Sequence, residues 1–195
     1  MYERGVAIVR WALRLIFGLE VTGLENIPRE GGAVVASNHT TWFDPVAVAC
    51  ALDRPVHFMA KAELFRNPLV ARFLRKVYAF PVRRGAADRD AIRAAIQVAG
   101  EGNLLGIFPE GTRGQGGELL PLQSGAVFIA AKAGVPIVPV AVAGVAPLRF
   151  RQRIVVRVGE PLDLGGPRRI TKPEMEEASL AISKQFSQLL RRNID

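Results

Sequence analysis

The chain has 195 residues, of which 49% are hydrophobic and 7% aromatic, and this content fits one aliphatic α/β domain. Twenty-six lysines and arginines against 18 acidic residues give a net charge of +8, so an anionic partner is expected. The basic residues are scattered without zinc-finger or RNP-like spacing, which argues against a nucleic acid partner, and the lone Cys50 permits neither an internal disulfide nor a zinc-type cluster.

Residues 1–19 form an apolar segment interrupted by Arg10 and Arg14. The segment lacks the unbroken apolar stretch and the cleavage site of a secretory signal. A helix over residues 5–18 would be about 21 Å long against about 30 Å of hydrocarbon, too short to span a bilayer. Its arginines fall within about a third of the helical circumference, as is typical of an interfacial helix. The arginines would then meet lipid phosphates together, with Trp11 at headgroup level. A helix that simply packs on the domain is the alternative.

The rest of the chain alternates aliphatic runs with amphipathic stretches, as expected when strands alternate with covering helices. Strands are predicted at Ala33–Ala36, Val56–Ala60, Tyr78–Val82, Leu104–Phe108, Ile137–Val142 and Ile154–Val158. Helices are predicted at Pro45–Leu52, Pro68–Lys76, Asp88–Gly100, Gln123–Ala133 and Pro173–Arg192, with Gly100 and Gly134 placed as helix C-terminal glycines. We therefore expect an N-terminal amphipathic helix, residues 1–19, followed by a single α/β domain, residues 20–195.

The segment SNHTTWFDP, residues 37–45, places His39 five residues before Asp44, between a predicted strand and a predicted helix. A connecting turn could bring the carboxylate against the imidazole. The carboxylate would then fix the tautomer, so that the other ring nitrogen could take a proton from a hydroxyl. The alternative is a helix start, because aspartate is a favoured N-cap and proline a favoured first helical residue. A general base is thus one of two interpretations.

A second candidate site is the glycine-rich loop EGTRGQGGE, residues 110–118. Glycines allow a tight turn at a strand end, Arg113 can make a bidentate contact to phosphate, and Glu110 can orient that arginine or accept from a substrate hydroxyl. The sequence lacks the G-x-x-x-x-G-K-[ST] pattern, which disfavours a nucleotide P-loop. A plain surface turn is the alternative on composition.

Four blocks of the sequence resemble those of the PlsC-type glycerolipid acyltransferases, and they occur in the family's order. NHTTWFD, residues 38–44, resembles the NHX4D block, FPEGTRG, residues 108–114, agrees with the third block, and VPIVPVAV, residues 135–142, is similar to the fourth. In the second block the matching positions carry Lys61, Leu64, Ala71 and Arg84, with Ala71 where the family has glycine. The blocks span nearly the whole predicted core.

The resemblance implies a mixed, largely parallel sheet and an acyl transfer reaction. His39 would be the base and Asp44 its orienting partner. The acceptor phosphate and loop would involve Lys61, Arg84, Glu110, Gly111, Thr112 and Arg113. The substrates would be 1-acyl-sn-glycerol 3-phosphate (lysophosphatidic acid) and an acyl thioester of CoA or acyl carrier protein, with no metal or other cofactor.

The resemblance leaves alternatives open. A related enzyme acting on glycerol 3-phosphate or another lysolipid would carry the same blocks, because the blocks recognise the phosphate and the thioester rather than the rest of the acceptor. A non-catalytic α/β module that binds anionic lipid is a further alternative, in which His39 and Asp44 only belong to a capped helix start. For the second block, the alternative is that Arg83 and Arg84 are solvated charges at a strand end. We expect the protein to lie peripherally on the cytoplasmic face of the membrane, held by its N-terminal helix.

Overall fold

The computed structural model describes residues 2–82, 89–111, 122–146 and 152–191, with side chains described from residue 5 onward. The helices within these ranges are α1 (Tyr2–Phe17), α2 (Asp44–Ala51), α3 (Pro68–Lys76), α4 (Arg89–Gly100), α5 (Gly125–Ala133) and α6 (Lys172–Arg191). Short 3-10 turns cover Leu24–Asn26 and Ala62–Arg66.

The strands are β1 (Glu20–Thr22), β2 (Ala33–Ser37), β3 (Val56–Lys61), β4 (Phe80–Val82), β5 (Leu104–Ile107), β6 (Ile137–Ala143) and β7 (Val155–Val158). They form one sheet in the order β1-β7-β6-β2-β5-β3-β4. Every neighbouring pair is parallel except β6 and β7, which run antiparallel. The predicted class, an α/β domain with a mixed, largely parallel sheet, is confirmed.

The sequence missed β1, a three-residue edge strand that pairs with β7 and has no apolar run to mark it. Gly134 ends α5 in the left-handed conformation, with φ of 68°, as its position predicts. Gly100 is instead the last helical residue of α4, and Gly102 has the positive φ, 89°. The predicted C-terminal position of Gly100 is therefore confirmed, while the residue with positive φ lies two positions later in the turn.

Two apolar clusters cover the two faces of the sheet. Leu13 of α1 and Val48 of α2 belong to the cluster on one face, while Ala95 of α4, Ala130 of α5 and Phe186 of α6 belong to the other. The central strand β2 is buried along its whole length, as expected for a parallel strand covered on both faces. The site described below lies at the carboxyl ends of β2 and β5, where open α/β sheets bind ligands.

Helix α1 both packs on the domain and exposes an apolar face. Leu13 is buried, and Val6 and Phe17 pack against the same cluster, whereas the opposite side exposes Ile8 and Leu15. Further apolar residues exposed on this helix are Val9, Trp11 and Ile16. The packing alternative thus describes one side of this helix, while an interfacial role for its exposed side and the division of the chain at residue 19 stay predictions.

The structure corrects the expectation that the arginines of α1 point together toward lipid. The guanidinium Nη1 of Arg10 donates to Asp53 Oδ1 at 2.8 Å, and its Nη2 donates to the backbone carbonyl of Leu52, so Arg10 faces the domain. Arg14 is exposed. Across the described ranges, no helix combines the length and the apolar character needed to cross a membrane.

Candidate active site

His39 lies two residues beyond the end of β2, and Asn38 fixes its position. The buried amide of Asn38 donates through Nδ2 to the carbonyl of Val142 at 3.0 Å and accepts the Val142 N–H at Oδ1 at 2.7 Å. The side chain thereby extends the pairing of β2 with β6 by one step past Ser37. The main chain is therefore held in place at the residue immediately before His39.

Asp44 contacts the imidazole through a short turn. Its Oδ2 lies 3.0 Å from His39 Nδ1 and accepts the backbone N–H groups of Thr40 and Thr41 at 2.6 and 2.7 Å. The hydroxyl of Thr41 accepts the N–H of Phe43, which tightens the same turn. Since Asp44 is fully buried, this turn holds the carboxylate in one place while it holds the imidazole.

The helix-cap interpretation of Asp44 is wrong in this geometry. The residue preceding α2 is Phe43, which makes no side-chain cap, and Pro45 lies in the first turn. The oxygens of Asp44 accept from Thr40 and Thr41, which come before the helix, rather than from N–H groups of α2. The carboxylate organises the turn and the histidine instead.

The ring of His39 stacks on Phe108, with 4.2 Å between ring centroids and 25° between planes. Phe108 is supported by Phe58 of β3, whose centroid lies 5.9 Å away. Phe58 in turn fills the space over Gly106, where an added Cβ would come within 2.3 Å of its ring. The imidazole is thus fixed by packing as well as by Asp44, and none of the described residues hydrogen-bonds its Nε2.

Glu110 lies in the loop that follows β5, three residues beyond Ile107, and is buried. Its Oε1 accepts the backbone N–H of His39 at 2.8 Å, so the glutamate joins the loop after β5 to the turn after β2. The next residue, Gly111, has φ of 70°, and an added Cβ would meet Gln123 at 2.4 Å. The sequence predicted that Glu110 orients Arg113 or accepts from a substrate hydroxyl. The structure shows in addition that it binds the main chain of His39, the candidate base.

The other predicted site residues divide between described and undescribed positions. Lys61 is exposed and ends β3, where its register partner is Val82, the last residue of β4. Ala71 is buried in α3, as expected for a position where the size of the residue sets the packing. Arg84, Thr112 and Arg113 lie outside the described residues. The carboxyl ends of β2, β5 and β3 are neighbours, so Lys61 is on the same edge as His39.

Cys50 is buried in the apolar core behind the site. Burial raises the pKa of its thiol to about 11, an effect that the charge of Arg10 only partly offsets. The thiol is therefore protonated near neutral pH and is a poor nucleophile.

Sequence reasoning missed the supporting residues of this site. Asn38, Phe108 and Gly106 position the histidine without touching its free nitrogen. A glycine inside a buried strand was the available signal for Gly106, because such a glycine often marks a close approach. No comparable signal identified the partners of Asn38 and Phe108, because Val142 and His39 are distant from them in the sequence.

Comparison with known proteins gives a consistent result. The family model described as Acyltransferase matches residues 18–143. The chain is 37% identical over 166 residues to 1-acyl-sn-glycerol-3-phosphate acyltransferase of Bacillus subtilis (strain 168), covering 83% of this chain and 82% of that protein. The protein of the same name from Streptococcus pneumoniae (strain ATCC BAA-255 / R6) is 29% identical over 195 residues, covering 96% and 72% of the two chains.

The fold is similar to the crystal structure of the 1-acyl-sn-glycerophosphate (LPA) acyltransferase PlsC from Thermotoga maritima. The TM-score is 0.74 at 25% sequence identity, over 98% of this chain and 79% of that one. The likeness thus extends beyond the matched family region to nearly the whole chain.

Proposed function

The chain belongs to the acyltransferase family, and we propose that it acylates 1-acyl-sn-glycerol 3-phosphate to phosphatidic acid. The acyl group comes from a thioester of CoA or acyl carrier protein. The observation that carries this proposal is the buried contact of His39 Nδ1 with Asp44 Oδ2 at 3.0 Å, at the carboxyl edge of the sheet. The names of the similar proteins supply the acceptor.

In this proposal His39 is the general base and Asp44 its positioning residue. Asp44 holds the proton on Nδ1, which leaves Nε2 to accept the proton of the acceptor hydroxyl as its oxygen attacks the thioester carbonyl. The tetrahedral intermediate then collapses, the carbon–sulfur bond breaks, and the imidazolium returns the proton to the leaving thiolate. A thiol with a pKa of about 8.5 is a good leaving group, so this route requires no metal.

The acyl group passes directly to the acceptor in this mechanism. The only thiol of the chain, Cys50, is buried and protonated, which supports a route without an acyl-cysteine. Glu110 and Asn38 act as positioning residues, because they hold the main chain on either side of the base.

The proposal assigns the acceptor phosphate to Lys61, Arg84 and Arg113, with Gly111 and Thr112 shaping the loop. Lys61 supports this assignment by being exposed at the edge of the sheet that carries His39. A single ammonium or guanidinium contact to phosphate is charge-assisted and stronger than a neutral hydrogen bond.

Lys61→Ala should raise the apparent KM for the acceptor by about tenfold, as expected for loss of one charge-assisted contact, while the KM for the acyl donor stays unchanged. Steady-state kinetics with each substrate varied in turn would measure both constants. Arg113→Ala should behave in the same way. A rise confined to the donor KM would contradict the assignment, and Lys132→Ala on the distant helix α5 is a matched control for loss of one positive charge.

The activity itself is tested by thiol release in the presence of an acceptor panel. Release should require 1-acyl-sn-glycerol 3-phosphate and should be much slower with glycerol 3-phosphate or a lysolipid lacking the phosphate monoester. CoA and acyl carrier protein thioesters run in parallel would identify the donor. Absence of release with every acceptor would refute the function and leave a lipid-binding module.

The proposal places the protein peripherally at the cytoplasmic face of a membrane, with α1 lying in the interface. The exposed residues Ile8, Trp11 and Leu15 support this location, because an apolar stripe on an otherwise packed helix can enter the acyl boundary. Arg14 lies beside them and can meet lipid phosphate.

The combined change Ile8→Ser and Leu15→Ser should weaken vesicle binding at least about tenfold without lowering Tm, because both side chains are exposed and membrane affinity follows buried apolar area. Co-sedimentation and a melting curve on the same protein measure the two effects. Leu13→Ala is the matched control: it removes a buried side chain, so it should cost about 2–5 kcal/mol of stability and leave vesicle affinity unchanged. Unchanged sedimentation of the double variant would contradict the anchor.

A further inference from the structure

Helix α3 exposes an apolar ridge that the fold does not cover. Only Ala71 of this helix is buried, and at about 100° per residue Leu69 and Phe73 lie roughly opposite it. Leu69 is 79% exposed and Phe73 63% exposed, and Val70 and Leu64 extend the apolar surface on either side. These four residues are called the α3 face below. Apolar side chains repeated at this spacing on the outside of a helix indicate a surface that something else covers.

The α3 face is bordered by positive charge. Exposed cations on the same helix and the turn before it are Arg66, Arg72, Arg75 and Lys76, against a single acidic residue, Glu63. None of the four makes an ion pair with another described residue. An apolar ridge bordered by cations is complementary to an anionic lipid surface. The cations can contact the phosphate layer while the apolar side chains enter the acyl layer beneath it.

The α3 face belongs to the same side of the sheet as α1. The crossovers β2–α2–β3 and β3–α3–β4 run in the same direction along the sheet, so the right-handed rule places α3 in the layer of α2, on which α1 packs. Of the twelve large apolar side chains exposed in the described ranges, five lie on α1 and five between Leu64 and Tyr78. Of the remaining two, Trp42 lies in the turn between His39 and Asp44, and Leu180 lies on α6, which covers the opposite face.

We infer that the α3 face is a second membrane-docking element, which seats on an anionic phospholipid surface beside the active site. Lys61 ends β3 at the catalytic edge, and the turn Ala62–Arg66 leads directly from it into α3. Docking through both α1 and α3 restricts the orientation of the protein as well as attaching it, because two helices seated on one surface allow less rolling than a single helix does. It brings the edge with His39 to the headgroup layer, where a lysolipid presents its hydroxyl; this last step rests on the proposed function.

The inference is tested with the full chain carrying Leu69→Ser and Phe73→Ser together. Affinity for vesicles of phosphatidylcholine with phosphatidylglycerol should fall at least about tenfold, because docking strength follows buried apolar area. Leu180→Ser is the matched control, since Leu180 is 71% exposed on the opposite face, and its affinity should equal that of the unaltered protein. A third variant, Arg72→Glu with Lys76→Glu, should lose affinity for the anionic vesicles and keep its weaker binding to pure phosphatidylcholine.

Activity separates this inference from the proposed function. The Leu69→Ser, Phe73→Ser variant should acylate a short-chain, monomeric lysophosphatidate at the normal rate and a vesicle-embedded acceptor at least about tenfold more slowly at limiting lipid. If the unaltered protein acylates neither acceptor, the proposed function fails while the vesicle-binding result still stands.

Two results would overturn the inference. One is a double serine variant that binds anionic vesicles as tightly as the Leu180→Ser control. The other is an unaltered protein that is dimeric by sedimentation equilibrium and becomes monomeric in the double variant without loss of vesicle affinity. In that case a second copy of the chain, rather than lipid, covers the α3 face.

Discussion

Replacing His39 with alanine should lower the rate of acyl transfer by at least about 10², because it removes the proposed general base. The ring is buried and stacked on Phe108, so its loss also leaves a cavity at the end of β2. The measurement is thiol release at saturating acceptor and donor, accompanied by a melting curve that separates lost chemistry from lost folding.

His39→Asn is the control that preserves more of the site. Its side-chain amide can donate toward Asp44 in place of the imidazole, but it cannot take up a proton near neutral pH. Both variants should therefore lose activity to a similar extent, although the asparagine variant should melt closer to the unaltered protein. Near-normal release by either variant would remove His39 from the mechanism.

Asp44→Asn should lower turnover by at least about 10² while the protein stays folded, because a neutral amide cannot stabilise the imidazolium that forms when His39 takes the proton. The amide oxygen can still accept the N–H groups of Thr40 and Thr41, and the amide nitrogen can face the two threonine hydroxyls. Turnover and Tm should thus respond differently to this substitution.

Asp44→Ala supplies the contrast. It leaves the buried N–H groups of Thr40 and Thr41 without their acceptor, so it should cost about 1–3 kcal/mol of stability for each unsatisfied group in addition to the activity. A fully active Asp44→Asn variant would mean that the carboxylate serves only the turn, and the acid–base assignment would fail.

Much of the secondary structure could be predicted from local patterns. The buried strands β2, β5 and β6 are continuous aliphatic runs because both faces of a parallel sheet are covered, and such runs are recognisable without a partner. Helix α3 was predicted with its observed bounds, since Pro68 marks its start locally and Asn67 Oδ1 caps it by accepting the N–H groups of Leu69 and Val70. The edge strand β1 was not predicted, because three residues are too few to show a periodic pattern and the strand that pairs with it lies over 130 residues away.

The sequence predicted that α1 is amphipathic, but it did not predict which of its residues face the domain and which face outward. A helical wheel placed its arginines in one sector, which suggested that they face lipid together. Arg10 instead turns to Asp53, and the apolar side chains divide between the core and the surface. A helical wheel gives the direction of each side chain about the helix axis. Packing against the neighbouring helix α2 decides which side of α1 is buried.

Residue types and spacing identified the kinds of chemistry available: an imidazole five residues from a carboxylate, a glycine-rich loop at a strand end, and cations suited to phosphate. The tertiary structure decided which groups meet. It joined Glu110 to the N–H of His39 across 71 positions, paired Asn38 with Val142 across 104, and seated the ring of Phe108 on the histidine. These contacts form because parallel strands distant in the chain end at one edge of the sheet, and no local pattern encodes the strand order that makes them neighbours.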